Sequence, residues 1–374
     1  MSHLWAGIGG DTSKIKNARP PRHYFNSMIF TDAYATGLRT LDNAAKPMFN
    51  KLHNYQVKQL MLGFNVPVAT KDFYNKDSSR VSNLHLMLTG SYLSMTPNFG
   101  GISDHRLTKT SVGFRGIFND GKKSMFFVEF SPFVTRDAGY RYTHTYRLAS
   151  SIIYNFTVNQ YFSFRLGYTR SFIWGNAYHL PYIGFRVGQL DRINFSVQFP
   201  RSISLNIPIG HYIRTSLYTK PQGGLYSFAN VDSLSPDFKN KTIYFGRYEF
   251  LSGLRVDVLP SKYFNFYLSS GLTTQNFVGM FPNGRKFKPG SNLSTVERIS
   301  GSLFINFGIV VRFGKTRSIY NNQQMYNALD LNNSLDPGNN NVNPGNGNIP
   351  RPQKKIRHLD PKDVQDLMET EDLY

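Results

Sequence analysis

The chain has 374 residues and no cysteine, which excludes disulfide bonds and thiolate metal sites or nucleophiles. Its 43 Lys and Arg outnumber its 23 Asp and Glu, so the formal net charge is +20. No run reaches the about 18 apolar residues of a membrane-spanning helix. This argues against a helical membrane protein, but short alternating strands escape such a search.

Strand patterns follow one another along most of the chain. Residues 1–54 are irregular apart from a strand candidate at 27–38, and we expect them to form a plug or a first strand. After them, alternation of apolar and polar residues predicts strands at 55–68, 84–95, 107–119, 122–136, 138–156, 160–174, 181–188, 191–199, 202–208, 211–219, 242–258, 263–274 and 299–313.

The links between these strands alternate in length. Short turns are predicted at 119–121, 158–159, 188–191, 208–210 and 260–261, whereas longer links rich in Gly, Pro, Asn and Ser occupy 96–106, 220–241 and 275–298. Outer-membrane barrels have short periplasmic turns and long extracellular loops. The pattern therefore predicts an all-β fold, an antiparallel transmembrane β-barrel of 12–14 strands spanning 55–313.

The amino-acid composition of the chain changes after Phe313. Residues 314–357 are rich in Asn, Gly and Pro and are expected to form a disordered linker. Residues 358–374 carry a short amphipathic helix signal, with Asp360 as N-cap and Pro361 at the first helical position. Its apolar face is predicted to bind a periplasmic partner through Val364, Leu367 and Met368.

The alternation leaves open which side of each strand meets lipid. A soluble sandwich also alternates, with its apolar face buried. Strands of 12 residues or more, small residues on the polar face and aromatics near strand ends favour an outward apolar face. These aromatics are Phe162, Trp174, Tyr244 and Phe313. Arg170 lies on the apolar side and is expected to extend towards the interface.

An outward apolar face assigns many bases to the lumen. The lumen-lining candidates are Lys109, Arg115, Arg141, Arg147, Arg165, Arg186, Arg192, Arg247, Arg255 and Arg312, with the acids Glu129, Glu249 and Asp257. Two alternatives follow: an open path that attracts anions, or an interior filled by Arg–carboxylate networks. Loop bases, Lys239, Lys241, Arg285, Lys286 and Lys288, either meet outer-leaflet phosphates and lipopolysaccharide or are simply solvated.

The last strand ends in an aromatic residue after alternate apolar residues. Phe307, Ile309, Val311 and Phe313 resemble the β-signal by which outer-membrane barrels are recognised for assembly. The stretches YNFTVNQYFSFRLGY (154–168), INFSVQFPRSISLNI (193–207) and PQGGLYSF (221–228) resemble segments of uncharacterised outer-membrane β-barrel proteins of the Bacteroidota type. The resemblance implies a barrel in the bacterial outer membrane and no assigned reaction.

No pattern in the sequence indicates catalysis. The nine His form no i, i+4 pair, and the Gly-rich pieces lack the strand-to-helix setting of a phosphate-binding loop. Bases are dispersed through the strands, which argues against nucleic-acid binding. We expect no enzyme, cofactor or metal. The favoured function is an accessory subunit of an outer-membrane complex whose tail reaches a periplasmic partner; the alternative is a small anion-preferring porin.

Overall fold

The computed structural model describes residues 27–41, 54–74, 81–99, 105–120, 123–140, 143–159, 161–173, 175–189, 192–209, 212–229, 243–261, 263–282, 287–288 and 296–313. The fold is all-β. None of these segments forms a helix long and apolar enough to cross a membrane.

Sixteen strands make up the described chain. They are β1 (Ser27–Thr36), β2 (Arg39–Thr40), β3 (Asn54–Tyr74), β4 (Val81–Asn98), β5 (Leu107–Asn119), β6 (Ser124–Asp137), β7 (Thr145–Thr157), β8 (Phe162–Ser171), β9 (Tyr178–Gly188), β10 (Asn194–Phe199), β11 (Ser202–Ile209), β12 (Ile213–Phe228), β13 (Ile243–Val258), β14 (Phe264–Pro282), β15 (Val296–Ile299) and β16 (Ser302–Phe313).

Fourteen of these strands close into an antiparallel barrel, which confirms the predicted fold. Strands β3 to β14 pair in sequence order, β14 pairs with β16, and β1 completes the ring by pairing with both β16 and β3. The short strands β2 and β15 extend the edges of β3 and β14. Closure leaves no free edge around the main ring, as a strand assembly in lipid requires.

The two ends of the barrel differ. Ser27 pairs with Phe313, so the first and last strands share one end with the brief β5–β6, β7–β8, β9–β10, β11–β12 and β13–β14 connections. We call it the short-turn end. The opposite, long-loop end carries the connections after β1, β4, β12 and β14. In outer-membrane barrels the short turns face the periplasm.

Several boundaries differ from the sequence prediction, and β3 and β14 run on into predicted links as far as Tyr74 and Pro282. The barrel begins at Ser27 rather than at residue 55, because the strand candidate at 27–38 forms β1, the closing strand, which is the first-strand alternative for residues 1–54. Residues 138–144 separate β6 from β7, whereas alternation predicted a continuous strand over 138–156. Residues 220–228, predicted as a loop, extend β12 to Phe228.

The extension of β12 passes through a sequence typical of loops. Pro221 is tolerated there because β12 pairs with β11 only from Ile213 to Thr219, which leaves this edge free of ladder bonds. On its other edge β12 pairs with β13 along its whole length. Position 223 needs a glycine, because the Cβ of any other residue would lie 2.2 Å from the Arg247 carbonyl oxygen and clash with it. Close backbone packing, rather than a turn, explains the glycine.

The outward face of the barrel is apolar. Large apolar side chains on alternate positions are exposed on neighbouring strands, among them Leu62, Val112, Phe114, Phe130, Ile152, Leu166, Ile183, Leu254, Leu268, Ile305 and Phe307. Exposed aromatics near the short-turn end include Phe118, Phe156, Phe162, Tyr212, Tyr263 and Phe313. An apolar belt with an aromatic border on a closed barrel is the surface that a bilayer covers. The protein is therefore an outer-membrane-type β-barrel.

Candidate functional site

The barrel interior is where the chain concentrates its polar chemistry. Most predicted lumen-lining residues are buried there: Lys109, Arg115, Arg165, Arg186, Arg247, Glu249, Arg255, Asp257, Arg312 and Glu129. Arg147 is half-buried. Arg192 does not line the lumen as predicted, because it lies in the turn before β10 and is exposed. Arg141 is outside the described residues.

The numbers of buried bases and buried acids differ from those predicted from the sequence. Among the described residues, the buried bases are Arg39, Lys109, Arg115, Arg165, Arg186, Arg201, Lys220, Arg247, Arg255 and Arg312, and the buried acids are Asp32, Glu129, Asp137, Glu249, Asp257 and Glu297. Ten bases therefore face six acids, not three. The interior can pair more of its charge internally than alternation alone indicated.

A buried Arg–Glu–Arg group near the long-loop end links β13 to β1 and β2. Arg39 Nη1 donates to Glu249 Oε2 at 2.8 Å, and Arg247 Nη2 donates to Glu249 Oε1. The Tyr34 hydroxyl also donates to Glu249 Oε1, at 2.9 Å. The side chains of Arg39, Arg247 and Glu249 are at most 2% exposed. These bonds hold β1, β2 and β13 together across the interior.

A second network lies nearer the short-turn end. Arg255 Nε donates to Asp257 Oδ2 at 2.7 Å, and Asn265 Nδ2 donates to Asp257 Oδ1 at 3.2 Å. The Tyr267 hydroxyl donates to Asp32 Oδ1 at 2.7 Å. Gly308 makes room for Tyr267, because a Cβ there would lie 2.1 Å from the tyrosine ring. Strands β1, β13 and β14 are thereby cross-linked from inside.

A third group occupies the wall from β5 to β7. Arg115 donates to Glu129 Oε2 from Nε at 3.2 Å and from Nη2 at 3.0 Å. The other carboxylate oxygen accepts from Ser131 Oγ at 3.3 Å. Arg201, in the turn between β10 and β11, reaches the same region and donates from Nη2 to Ser151 Oγ at 3.3 Å. Ser151 pairs directly with Glu129 across β6 and β7.

The free end of the β12–β13 hairpin closes the long-loop end. We call residues 220–228 and 243–250 the cap. Residues 220–228 are buried on both faces, as a strand lying inside the barrel must be. Ser227 Oγ lies 3.1 Å from Thr135 Oγ1 of β6 and donates to Thr145 Oγ1 at 2.7 Å. Arg147 Nη1 donates to the Leu225 carbonyl oxygen at 3.4 Å.

Aromatic packing completes this closure. The His105 ring stacks on Phe228 with centroids 3.9 Å apart, and the Ala229 amide donates to Asp137 Oδ2 at 3.2 Å. His105 Nδ1 contacts the same carboxylate oxygen. Below the cap, a cavity lined by Gln59, Lys109, Phe133 and Gln222 has a volume of only about 10 Å³. That is room for about one water molecule.

The remaining residues singled out in the sequence lie in different parts of the chain. Phe307 and Phe313 are exposed on the outward face of β16, and Ile309 and Val311 lie on the same face. The partner-binding candidates Val364, Leu367 and Met368 lie outside the described residues, as does Trp174. Arg170 is half-buried on the outward side of β8 and pairs with His179 of β9. No group of three or more His, Asp or Glu in the described part of the chain is placed to hold a metal ion.

Sequence reasoning missed several interior charges. Asp32 lies in the weak strand candidate at 27–38, where its inward parity could have been recognised. The sequence predicts a loop at Lys220, because Pro221 and two glycines follow it. Arg39 and Arg201 lie outside the main strand patterns, so no periodicity signal could place them inside.

The sequence matches no protein-family model and no curated protein. Among solved structures, the β domain of the Bordetella autotransporter BrkA is similar at 11% identity, with a TM-score of 0.28, over 77% of this chain and 100% of that chain. The translocator domain of the autotransporter NalP from Neisseria meningitidis is 9% identical, with a TM-score of 0.26, over 81% and 92%.

A FadL homologue from Pseudomonas aeruginosa is similar at 7% identity, with a TM-score of 0.29, over 77% of this chain and 90% of that chain. All three are barrel proteins of outer-membrane type by fold. The assignment of the fold to this chain rests on its own strand pairing and exposed apolar belt.

Proposed function

We propose that the protein is a closed, non-enzymatic barrel that serves as an accessory or structural subunit of an outer-membrane protein complex. The observation that carries the proposal is the cap. A strand buried on both faces lies against β5 and β6 inside the barrel, and the cavity beneath it has room for about one water molecule. A barrel obstructed by a cap in this way is suited to support other proteins rather than to pass solutes.

The buried polar networks support the same proposal. Glu249 is bonded by two guanidiniums and a tyrosine hydroxyl, and Asp257 is bonded by Arg255 and Asn265. Charges that are paired and hydrogen-bonded leave little reason for water or solute to enter. Lipid and lipopolysaccharide are the partners proposed for the outward apolar belt. A protein partner is proposed for the tail at 358–374, which would lie in the periplasm because β16 ends at the short-turn end.

The alternative is a small anion-preferring porin. The observation that favours it is the excess of ten buried bases over six buried acids among the described residues. Rings of Arg and Lys favour anions where a continuous path exists. The cap across the described interior makes this the second candidate.

Planar-bilayer recordings on the purified full chain test the proposal against its alternative. A closed barrel gives no steady conductance, whereas a porin gives steady steps with a reversal potential that favours anions. The same preparation, extracted in mild detergent, should carry a co-purifying envelope protein. Steady anion-selective conductance from a chain that purifies alone would overturn the accessory role and support the porin.

A further inference from the structure

Arg170 is a positive charge on the face of the barrel that meets lipid. It lies on the outward side of β8 together with Leu166 and Tyr168, which are 46% and 43% exposed. The Arg170 side chain is half-buried, and its Nε has no hydrogen-bond partner among the described residues. None of the ion pairs that those residues form includes Arg170. A charge beside lipid is costly without an opposite charge or water, so Arg170 calls for an anion at the barrel surface.

The length of β8 sets the depth of Arg170 in the membrane. The strand has ten residues, from Phe162 to Ser171, and a transmembrane strand needs about 9–11. Phe162 is one of the exposed aromatics near the short-turn end, and Arg170 is the last but one residue of the strand. A strand that only just spans the hydrocarbon core brings Arg170 to the opposite border of that core. With the short turns in the periplasm, this border is the headgroup level of the outer leaflet.

Polar side chains flank Arg170 on both adjoining strands. Arg170 pairs with His179 of β9 on one side and with Ser150 of β7 on the other. Residues at directly opposite positions of an antiparallel pair share a face and have Cβ atoms about 4.5–5.5 Å apart, so the three form one polar row. His179 is exposed, and its Nδ1 contacts the Tyr168 hydroxyl. This contact orients the imidazole beside Arg170 and leaves Nε2 for a ligand.

The surface below the polar row is suited to acyl chains. The outward positions that follow towards the short-turn end are Ile152, Tyr168, Pro181, Tyr154, Leu166 and Ile183, all of them exposed. The barrel wall also has a step beside His179. Strand β10 ends at Phe199, which pairs with Ile183, so no described strand lies beside Tyr178–Tyr182 on that edge of β9. A headgroup can therefore approach His179 and Arg170 from the side.

We infer that Arg170 and His179 bind the phosphate group of an outer-leaflet lipid. A guanidinium suits this ligand because its N–H groups form paired, charge-assisted bonds to phosphate oxygens. A polar row directly above an apolar surface matches a molecule in which a phosphate caps acyl chains, and basic pockets at this level of a membrane protein bind lipid headgroups. The inference deepens the lipid contact proposed for the outward belt, on which it rests, and it does not depend on whether the lumen conducts.

Native mass spectrometry of the purified full chain in a non-ionic detergent tests the site. The probes are monophosphoryl lipid A and the same lipid without its phosphate. We expect the chain to hold a single phosphorylated lipid and to bind the lipid without phosphate about tenfold more weakly. Arg170→Gln should weaken binding of the phosphorylated lipid by a similar factor, because a charge-assisted bond is lost. Arg136→Gln removes the same charge from an exposed position at the long-loop end of β6 and should leave the affinity unchanged.

His179→Gln is a second variant and should weaken binding roughly fivefold, while the heat-dependent gel shift shows that each variant is folded. Equal binding of the two lipids would overturn the inference, and so would equal affinity of Arg170→Gln and the parent chain. Displacement of the lipid by about 1 mM glycerol 3-phosphate would assign the site to a soluble phosphate and also contradict it. These readouts involve neither conductance nor a co-purifying protein, so they separate failure of the lipid site from failure of the proposed function.

Discussion

The imidazole of His105 stacks on the ring of Phe228 with centroids 3.9 Å apart. This contact joins the segment before β5 to the last residue of β12, two parts of the chain separated by more than half of the barrel strands. The cap is therefore held by a side-chain stack in addition to the Ser227, Arg147 and Asp137 hydrogen bonds.

Weakening this stack should loosen the cap. Phe228→Ala removes a ring that is 2% exposed and that also contacts Phe245 of β13. We expect intermittent conductance in planar bilayers where the parent chain is silent, because the cap can then move away from β5 and β6. Phe195→Ala, which truncates an outward-facing ring on β10 that is 40% exposed, is the matched control. Equal silence of both variants would mean that the cap does not close the pathway.

The Arg–Glu–Arg group should make a large contribution to stability. Glu249→Gln leaves Arg39 and Arg247 buried without their carboxylate, and breaking a buried ion pair in this way costs about 3–5 kcal/mol. Urea unfolding in lipid vesicles, followed by tryptophan fluorescence, measures the loss in the free energy of unfolding. The double variant Glu249→Gln with Arg247→Gln should lose less than the sum of the single losses, because it removes a stranded charge. Simple additivity would contradict the coupling between these side chains.

Charge on the lipid-facing belt should be costly in proportion to depth. Ile305→Arg replaces a side chain that is 53% exposed on the outward face of β16, eight residues from Phe313 at the short-turn end, and should cost about 2–4 kcal/mol. Val258→Arg, at the end of β13 near the short turns, should cost only about 0–1 kcal/mol because the side chain can reach water. The heat-dependent gel shift of a closed barrel reports folding of each variant. A larger cost at residue 258 than at residue 305 would mean that the membrane midplane lies nearer to the short-turn end.

The tail should bind a partner without contributing to the barrel. Deleting residues 358–374 is expected to leave the heat-dependent shift unchanged and to release a co-purifying periplasmic protein. Leu367→Asp should have the same effect, because it places a charge on the apolar face of a helix that folds on binding. Lys362→Asp, on a different part of the same segment, is the control for a charge change. Retention of every partner by the truncated chain would show that the tail does not bind them.

Local sequence determined most of the barrel. Alternation with period two specifies strands and their two faces, because successive side chains of a strand point to opposite sides. This alone placed Arg115, Arg247 and Asp257 on the inward face and Phe307 on the outward face, in agreement with their burial. The alternation of short and long links then indicated an antiparallel outer-membrane barrel.

Only the tertiary structure decided what fills the interior. The burial of Arg39 and Arg201 depends on side chains that reach inward from a short edge strand and from a turn, and such short segments carry no periodicity. The extension of β12 through Lys220 and Pro221 depends on β13 as a partner and on the absence of a β11 partner beyond Thr219. Pairings between residues far apart in the chain therefore close the barrel, because backbone groups inside a membrane must be satisfied by whichever strand lies beside them.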